Sequence, residues 1–203
     1  MAISTHAELV TALCNWLDIS SGQFATNQTT DLILLGEKWI MRNVRSPEME
    51  TAMSVTIANG VATVPTGFLG LKYAYVDGSP TKKLITKTPD QILGAYPTRA
   101  SSGKPAWIAF DAGNFIFGPY PDSTYTIKGT YFKRQGPLSS GTYDLFTNNP
   151  DLYLFAALAE AEPVFGRDQR IQVWKAKRDE IAMGVNRDAF GIQSGGGLAM
   201  TAA

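Results

Sequence analysis

Apolar residues recur along this chain with two different periods, and the change of period divides it. Thr5-His6-Ala7-Glu8 has capping-box form, and Leu9, Leu13, Trp16 and Leu17 behind it supply one stripe of a short helix that should end near Asp18. Thr29-Thr30-Asp31 is good capping chemistry for a second helix over residues 29–45, with Leu32, Leu35, Trp39 and Ile40 on one side. Gly36 inside it costs about 1 kcal/mol relative to Ala, which points to a close helix contact. The longest pattern runs from Asn148 to Asn186. Asn149 is the expected N-cap before Pro150, and Leu152, Phe155, Leu158 and Ala159 form the stripe of a helix over 149–162. Pro163 and Gly166 stop it, and Asp168 caps another over 168–186, in which Ile171, Trp174, Arg178, Ile181 and Val185 follow a 3-4-3-4 spacing.

From Met53 the period falls to 2. Met53, Val55 and Ile57, then Asn59-Gly60, then Val61 predict a hairpin, because a two-residue primed turn needs positive φ at both positions. Leu71, Tyr73 and Tyr75 alternate before Asp77-Gly78-Ser79-Pro80, with a return strand over 83–86. Thr88-Pro89-Asp90 opens a helical turn. Trp107 to Phe110 and Phe115 to Phe117 flank the turn Asp111-Ala112-Gly113-Asn114, and residues 124–132 make one more strand. The expectation is an α+β chain: a four-helix bundle from both termini (1–50 and 136–187), an inserted small antiparallel β module (51–135) and a flexible, glycine-rich C-terminal arm (188–203). Trp39 and Trp174 belong in the bundle.

The arm holds Phe190, Ile192, Leu198 and Met200 among four glycines in a segment too short to fold alone, which reads equally as a set of apolar anchors that order on a partner or as a frayed terminus. The hairpin tips Asn59-Gly60 and Asp111 to Asn114 are expected near a subunit boundary or rim, since unpaired strand edges seek partners.

Charge and chemistry narrow the function. Eighteen basic residues balance eighteen acidic ones over 203 residues, so no overall basic field favours tight nucleic-acid binding. Cys14 and His6 are the only residues of their kinds, which excludes an intrachain disulfide and a Cys/His zinc cluster. No basic leader with an apolar run and no long apolar window supports a signal peptide or a membrane span. The one histidine lies in a capping turn without a G-x-S-x-G elbow, and the carboxylates Glu160/Glu162 and Asp179/Glu180 stand too close in sequence to face each other on a helix. No catalytic residue, metal or cofactor is expected. Tyr96, Trp107, Phe117, Tyr120 and Tyr125, with Asp111 and Asp122, are the one grouping with the look of a sugar platform, and core packing is the better reading.

The order of these pieces resembles a family of tailed-bacteriophage head-to-tail adaptor (connector) proteins. The likeness is carried by Asp31-Leu-Ile-Leu-Leu-Gly-Glu-Lys-Trp39, Val64-Pro65-Thr66-Gly67-Phe68, Lys104-Pro105-Ala106-Trp107 and Phe117-Gly118-Pro119-Tyr120-Pro121-Asp122. Tyr125-Thr-Ile-Lys-Gly-Thr-Tyr131 and Asn149-Pro150-Asp151-Leu152-Tyr153-Leu154-Phe155-Ala156-Ala157 complete it, over most of residues 5–187. The resemblance implies a non-enzymatic virion protein of the neck, assembled in the host cytoplasm. It implies a homo-oligomeric ring, typically a dodecamer, that docks beneath the portal protein, meets a tail nozzle or other tail protein, and lets viral DNA leave through its lumen. The rival reading is a carbohydrate-binding tail module using the aromatic β face; a cell-wall hydrolase is third.

Overall fold

The computed structural model describes residues 3–19, 26–98, 101–161 and 169–193, and of 26–27 and 190–193 the backbone alone. Among them are six helices and two four-stranded sheets, a mixed α/β chain. Contacts divide it into two compact units, Met1–Met49 with Gln135–Ala203, and Glu50–Arg134.

In the helical unit, α1 (His6–Leu17) starts at the expected capping box: the Glu8 N–H donates to Thr5 Oγ1 at 3.2 Å and the Thr5 N–H donates to Glu8 Oε2 at 3.0 Å. It ends where Asp18 turns left-handed, at φ 55°. α2 (Thr26–Asn43) begins three residues before the expected cap, and its inward face is also rotated from expectation. Thr29, Leu32, Ile33, Ile40, Met41 and Val44 are buried, whereas Leu34 and Leu35 are exposed. The reason is Gly36. A Cβ there would stand 2.8 Å from the Ala157 nitrogen and 2.9 Å from the Ala156 carbonyl carbon, so the glycine lets two helix backbones touch and sets which face of the Leu32-Ile-Leu-Leu35 run turns inward.

A five-residue helix that the sequence pattern does not announce, α4 (Asp144–Asn148), precedes α5 (Pro150–Ala159). Asn149 does not cap α5 with its side chain; its amide donates to the Leu145 carbonyl, closing α4, while Asp151 Oδ1 takes the Leu152 N–H. α5 is buried nearly all round, with Leu152, Leu154, Ala156, Leu158 and Ala159 inside, and α1, α2 and the last helix all pack on it. That last helix, α6 (Arg170–Gln193), runs seven residues past its expected end. The expected flexible arm is therefore helical over its first residues. A buried stripe explains it: Ile171, Trp174, Ala182 and Ala189 with the Arg178 side chain are buried at helical spacing, whereas the expected members Ile181 and Val185 are only half-buried, and the Asn186 side chain accepts from the Arg45 N–H at 2.8 Å and donates to the Asn43 carbonyl at 3.0 Å. Asp168 and the residues after 193 lie outside the described residues.

In the β unit the first sheet has the order β1 (Glu50–Ile57), β8 (Tyr125–Lys133), β3 (Phe68–Val76), β4 (Lys82–Lys83); the second is β2 (Val61–Thr63), β7 (Asn114–Gly118), β6 (Trp107–Asp111), β5 (Ile85–Thr86). The helix α3 (Pro89–Ala95) follows β5 behind a Thr88–Gln91 capping box. Two expectations fail here. β1 and β2 do not form a hairpin: β1 pairs with β8 over eight residues and β2 with β7 over three, so the Asn59-Gly60 bend carries the chain from one sheet to the other. The return strand after Pro80 pairs with β3 only at Lys82 and Lys83, then crosses at Leu84 so that β5 lies parallel to β6; the module is not antiparallel throughout. Burial decides both: Met53, Ile57, Val76, Ile127 and Tyr131 from one sheet and Ala62, Ile108, Phe115 and Phe117 from the other share one core, each large apolar side chain contributing about 1.5–3 kcal/mol. The β6–β7 hairpin forms as expected.

Candidate functional site

The two turns expected at a boundary flank the same strand. Gly60, at φ 69°, is buried against the Tyr120 ring, where a Cβ would come within 3.0 Å, and its carbonyl accepts from the Phe117 N–H at 3.0 Å, while Asn59 is exposed. The other turn is Ala112-Gly113, both at positive φ, with Asp111 paired to Asn114 on either side. Asp111 is exposed, and Asn114 pairs with Thr63 of β2. Three residue steps along β7 take the chain from Asn114 to Phe117, about 10 Å at strand rise, so the structure sets these tips at opposite ends of β7 rather than together. Of the expected anchors, Phe190 and Ile192 have helical backbone at the end of α6; Leu198 and Met200 lie outside the described residues.

The aromatic grouping is divided among separate packing tasks. Phe117 is buried in the β core; Tyr96 meets Trp107 edge-on at 5.3 Å between ring centres; Tyr120 covers Gly60. The Tyr125 hydroxyl donates to Asp122 Oδ1 at 2.6 Å, a hydrogen bond that raises its pKa. Tyr96, Phe117 and Tyr120 also line one pocket of about 280 Å³ with Gly60, Ile92 and Leu93, whereas Trp107, Tyr125, Asp111 and Asp122 are not among its lining residues.

Two polar groupings stand in the helical unit. Arg178 lies 3.9 Å over the Trp39 ring and reaches Asp179 at 2.9 Å and Glu160 at 3.7 Å. Glu37 is buried; its carboxylate accepts the Leu138 N–H at 2.8 Å, and burial raises its pKa despite that bond. Burial, and Glu37 nearby, push the Tyr153 hydroxyl far up as well. His6 opens α1 and Cys14 is buried within it. Among the described residues no group of His, Cys, Asp and Glu has the arrangement of a metal site, and no helix is long and apolar enough to cross a membrane.

One feature escaped the sequence reading: the neutral chain is split by charge. Glu50–Arg134 holds nine basic and five acidic residues, net +4, and the rest holds nine and thirteen, net −4. In the β unit, Lys82, Lys83 and Lys104 gather at the β4 end. In the helical unit, Glu48 and Asp188 line a cleft of about 380 Å³ with Ser46, Asn149 and Val185. Lys82-Lys83 was visible as a pair; its meaning depended on knowing where the units divide.

No curated protein matches the chain. A protein-family model described as SU10 adaptor protein matches residues 4–195, which takes in both units and every helix and strand above. A match over that much of the chain shows the family, and the chain belongs to the SU10 adaptor protein family of phage head-to-tail adaptors.

Proposed function

We propose that this chain is the repeating subunit of a closed ring in the neck of a phage, seated between portal and tail, with α1, α2, α5 and α6 working as one bundle and viral DNA passing through the lumen. The observation that carries the reading is the family match over residues 4–195. The ring is a dodecamer, its role is structural rather than enzymatic, and a nozzle or other tail protein binds on the side away from the portal. The chain end carrying Phe190, Ile192, Leu198 and Met200 docks on the portal: anchors worth about 1.5–3 kcal/mol each when buried bind weakly on one subunit and firmly when repeated around a ring. Asn59-Gly60 and the Asp111 to Asn114 turn lie toward a neighbouring subunit or the tailward rim.

Electron micrographs of the purified protein, alone and with portal-bearing capsids, test this directly. Rings that attach to the portal vertex are expected. A protein that stays monomeric in both samples overturns the reading. Removing residues 188–203, with all four anchors, should abolish attachment and leave a helical protein; normal attachment of the truncated protein would move the docking surface elsewhere on the subunit.

A further inference from the structure

Lys82 and Lys104 at the β4 end are tied to each other's neighbourhood without being neutralised, and Lys83 adds a third charge on the other face of the same strand. Lys82 Nζ donates to the Lys104 carbonyl at 3.2 Å, and Lys104 Nζ donates to the Pro80 carbonyl at 2.8 Å, while Lys83 pairs in register with Tyr75 and is exposed. No Asp or Glu among the described residues pairs with any of the three. Elsewhere in the same unit Lys72 and Lys128 do pair, with Glu50 and Asp77, each at 2.7 Å. Gathering like charges costs energy in an isolated subunit, and a negatively charged partner relieves it.

The helical unit carries the complementary imbalance. Glu48 takes the Asn148 amide at 3.1 Å, and no lysine or arginine among the described residues pairs with Glu48 or Asp188 in the cleft.

We propose that the Lys82-Lys83-Lys104 patch of one subunit docks on the Glu48 and Asp188 cleft of the next. This rests on the ring reading above. A head-to-tail contact needs two different surfaces on one chain, and a neutral chain split +4 and −4 supplies them. Duplex DNA is the other polyanion such a patch attracts. The matched excess of negative charge within the same chain favours the second copy.

Sedimentation of the full-length protein between about 50 mM and about 500 mM salt, where screening changes several-fold, reads the contact. Lys82→Glu with Lys83→Glu leaves Lys104, which holds the Pro80 carbonyl, in place. That variant and Glu48→Lys with Asp188→Lys should each weaken association by about tenfold or more, and the fourfold charge swap should restore it. Lys82→Gln with Lys83→Gln should fall between, and circular dichroism melts identify any variant that fails to fold. The proposal is overturned if the lysine variants assemble like the parent protein, or if the swap is no better than its halves while all melt alike. Lysine variants that assemble normally but lose retention on duplex DNA also overturn it, and give the patch to DNA. A parent protein that forms no ring at any salt concentration sinks the ring reading itself, so the two failures are distinguishable.

Discussion

Ala112 sits at φ 44° in the β6–β7 turn, followed by Gly113 at φ 80°, while the dipeptide with the stronger hairpin composition, Asn59-Gly60, serves a crossing between sheets. A left-handed alanine costs about 1 kcal/mol that asparagine largely avoids. Ala112→Asn should therefore stabilise the protein by about 1 kcal/mol in urea unfolding, at unchanged slope. Glu37 is the residue where pH enters. Because burial raises its folded pKa above the unfolded value, the folded state binds a proton more readily than the unfolded chain. Its contribution is thus most favourable below the ordinary carboxylate value of 4.5 and is lost as pH rises through the raised one. Glu37→Gln still accepts the Leu138 N–H and carries no charge. The variant should melt higher at pH 7 and show a flatter dependence of melting temperature on pH between 4 and 7; a lower melting point at pH 7 would refute this account.

At the scale of elements, contacts between backbones outrank propensity. α2 carries a glycine that weakens it locally, yet that glycine sets the approach of α2 to α5. Gly36→Ala improves helix propensity and should nonetheless destabilise by about 2–3 kcal/mol, because backbone atoms of Ala156 and Ala157 have no rotamer to change. A stability gain in thermal unfolding would show that the two helices separate freely. α2 and α6 meet through a side chain instead: Arg178 over Trp39. A double-mutant cycle with Arg178→Ala and Trp39→Ala should return a coupling of about 1–2 kcal/mol, and additive single effects would mean that the stack is incidental.

On the scale of the whole molecule, the β unit has the means to stand alone. It has its own core, and its two ends are tied together, since Glu50 at the start of β1 pairs with Phe132 near the end of β8. A fragment of residues 50–134 should unfold cooperatively with a β-type circular dichroism spectrum. A molten fragment would show that its core depends on the remainder of the chain. The net charges of +4 and −4 belong to this scale too, for they appear only when the chain is divided where contacts divide it.

Local chemistry was legible before any coordinates. The Thr5–Glu8 box, Thr88-Pro89, Pro150 and the apolar spacing around Ile171 and Trp174 specify helices because caps and 3.6-residue periods act within a few residues of themselves. The changeover to period 2 after Met53 and the closely packed Gly36 were readable for the same reason. What the tertiary structure decided is non-local. Which strand β1 accepts, where the chain leaves one sheet for the other, and how far α6 runs past Val185 depend on partners distant in sequence, on β8, on Leu84 in a shared core, on Asn43 and Arg45 meeting Asn186. A turn dipeptide or a glycine states what the backbone is able to do, and burial against another segment selects among those options.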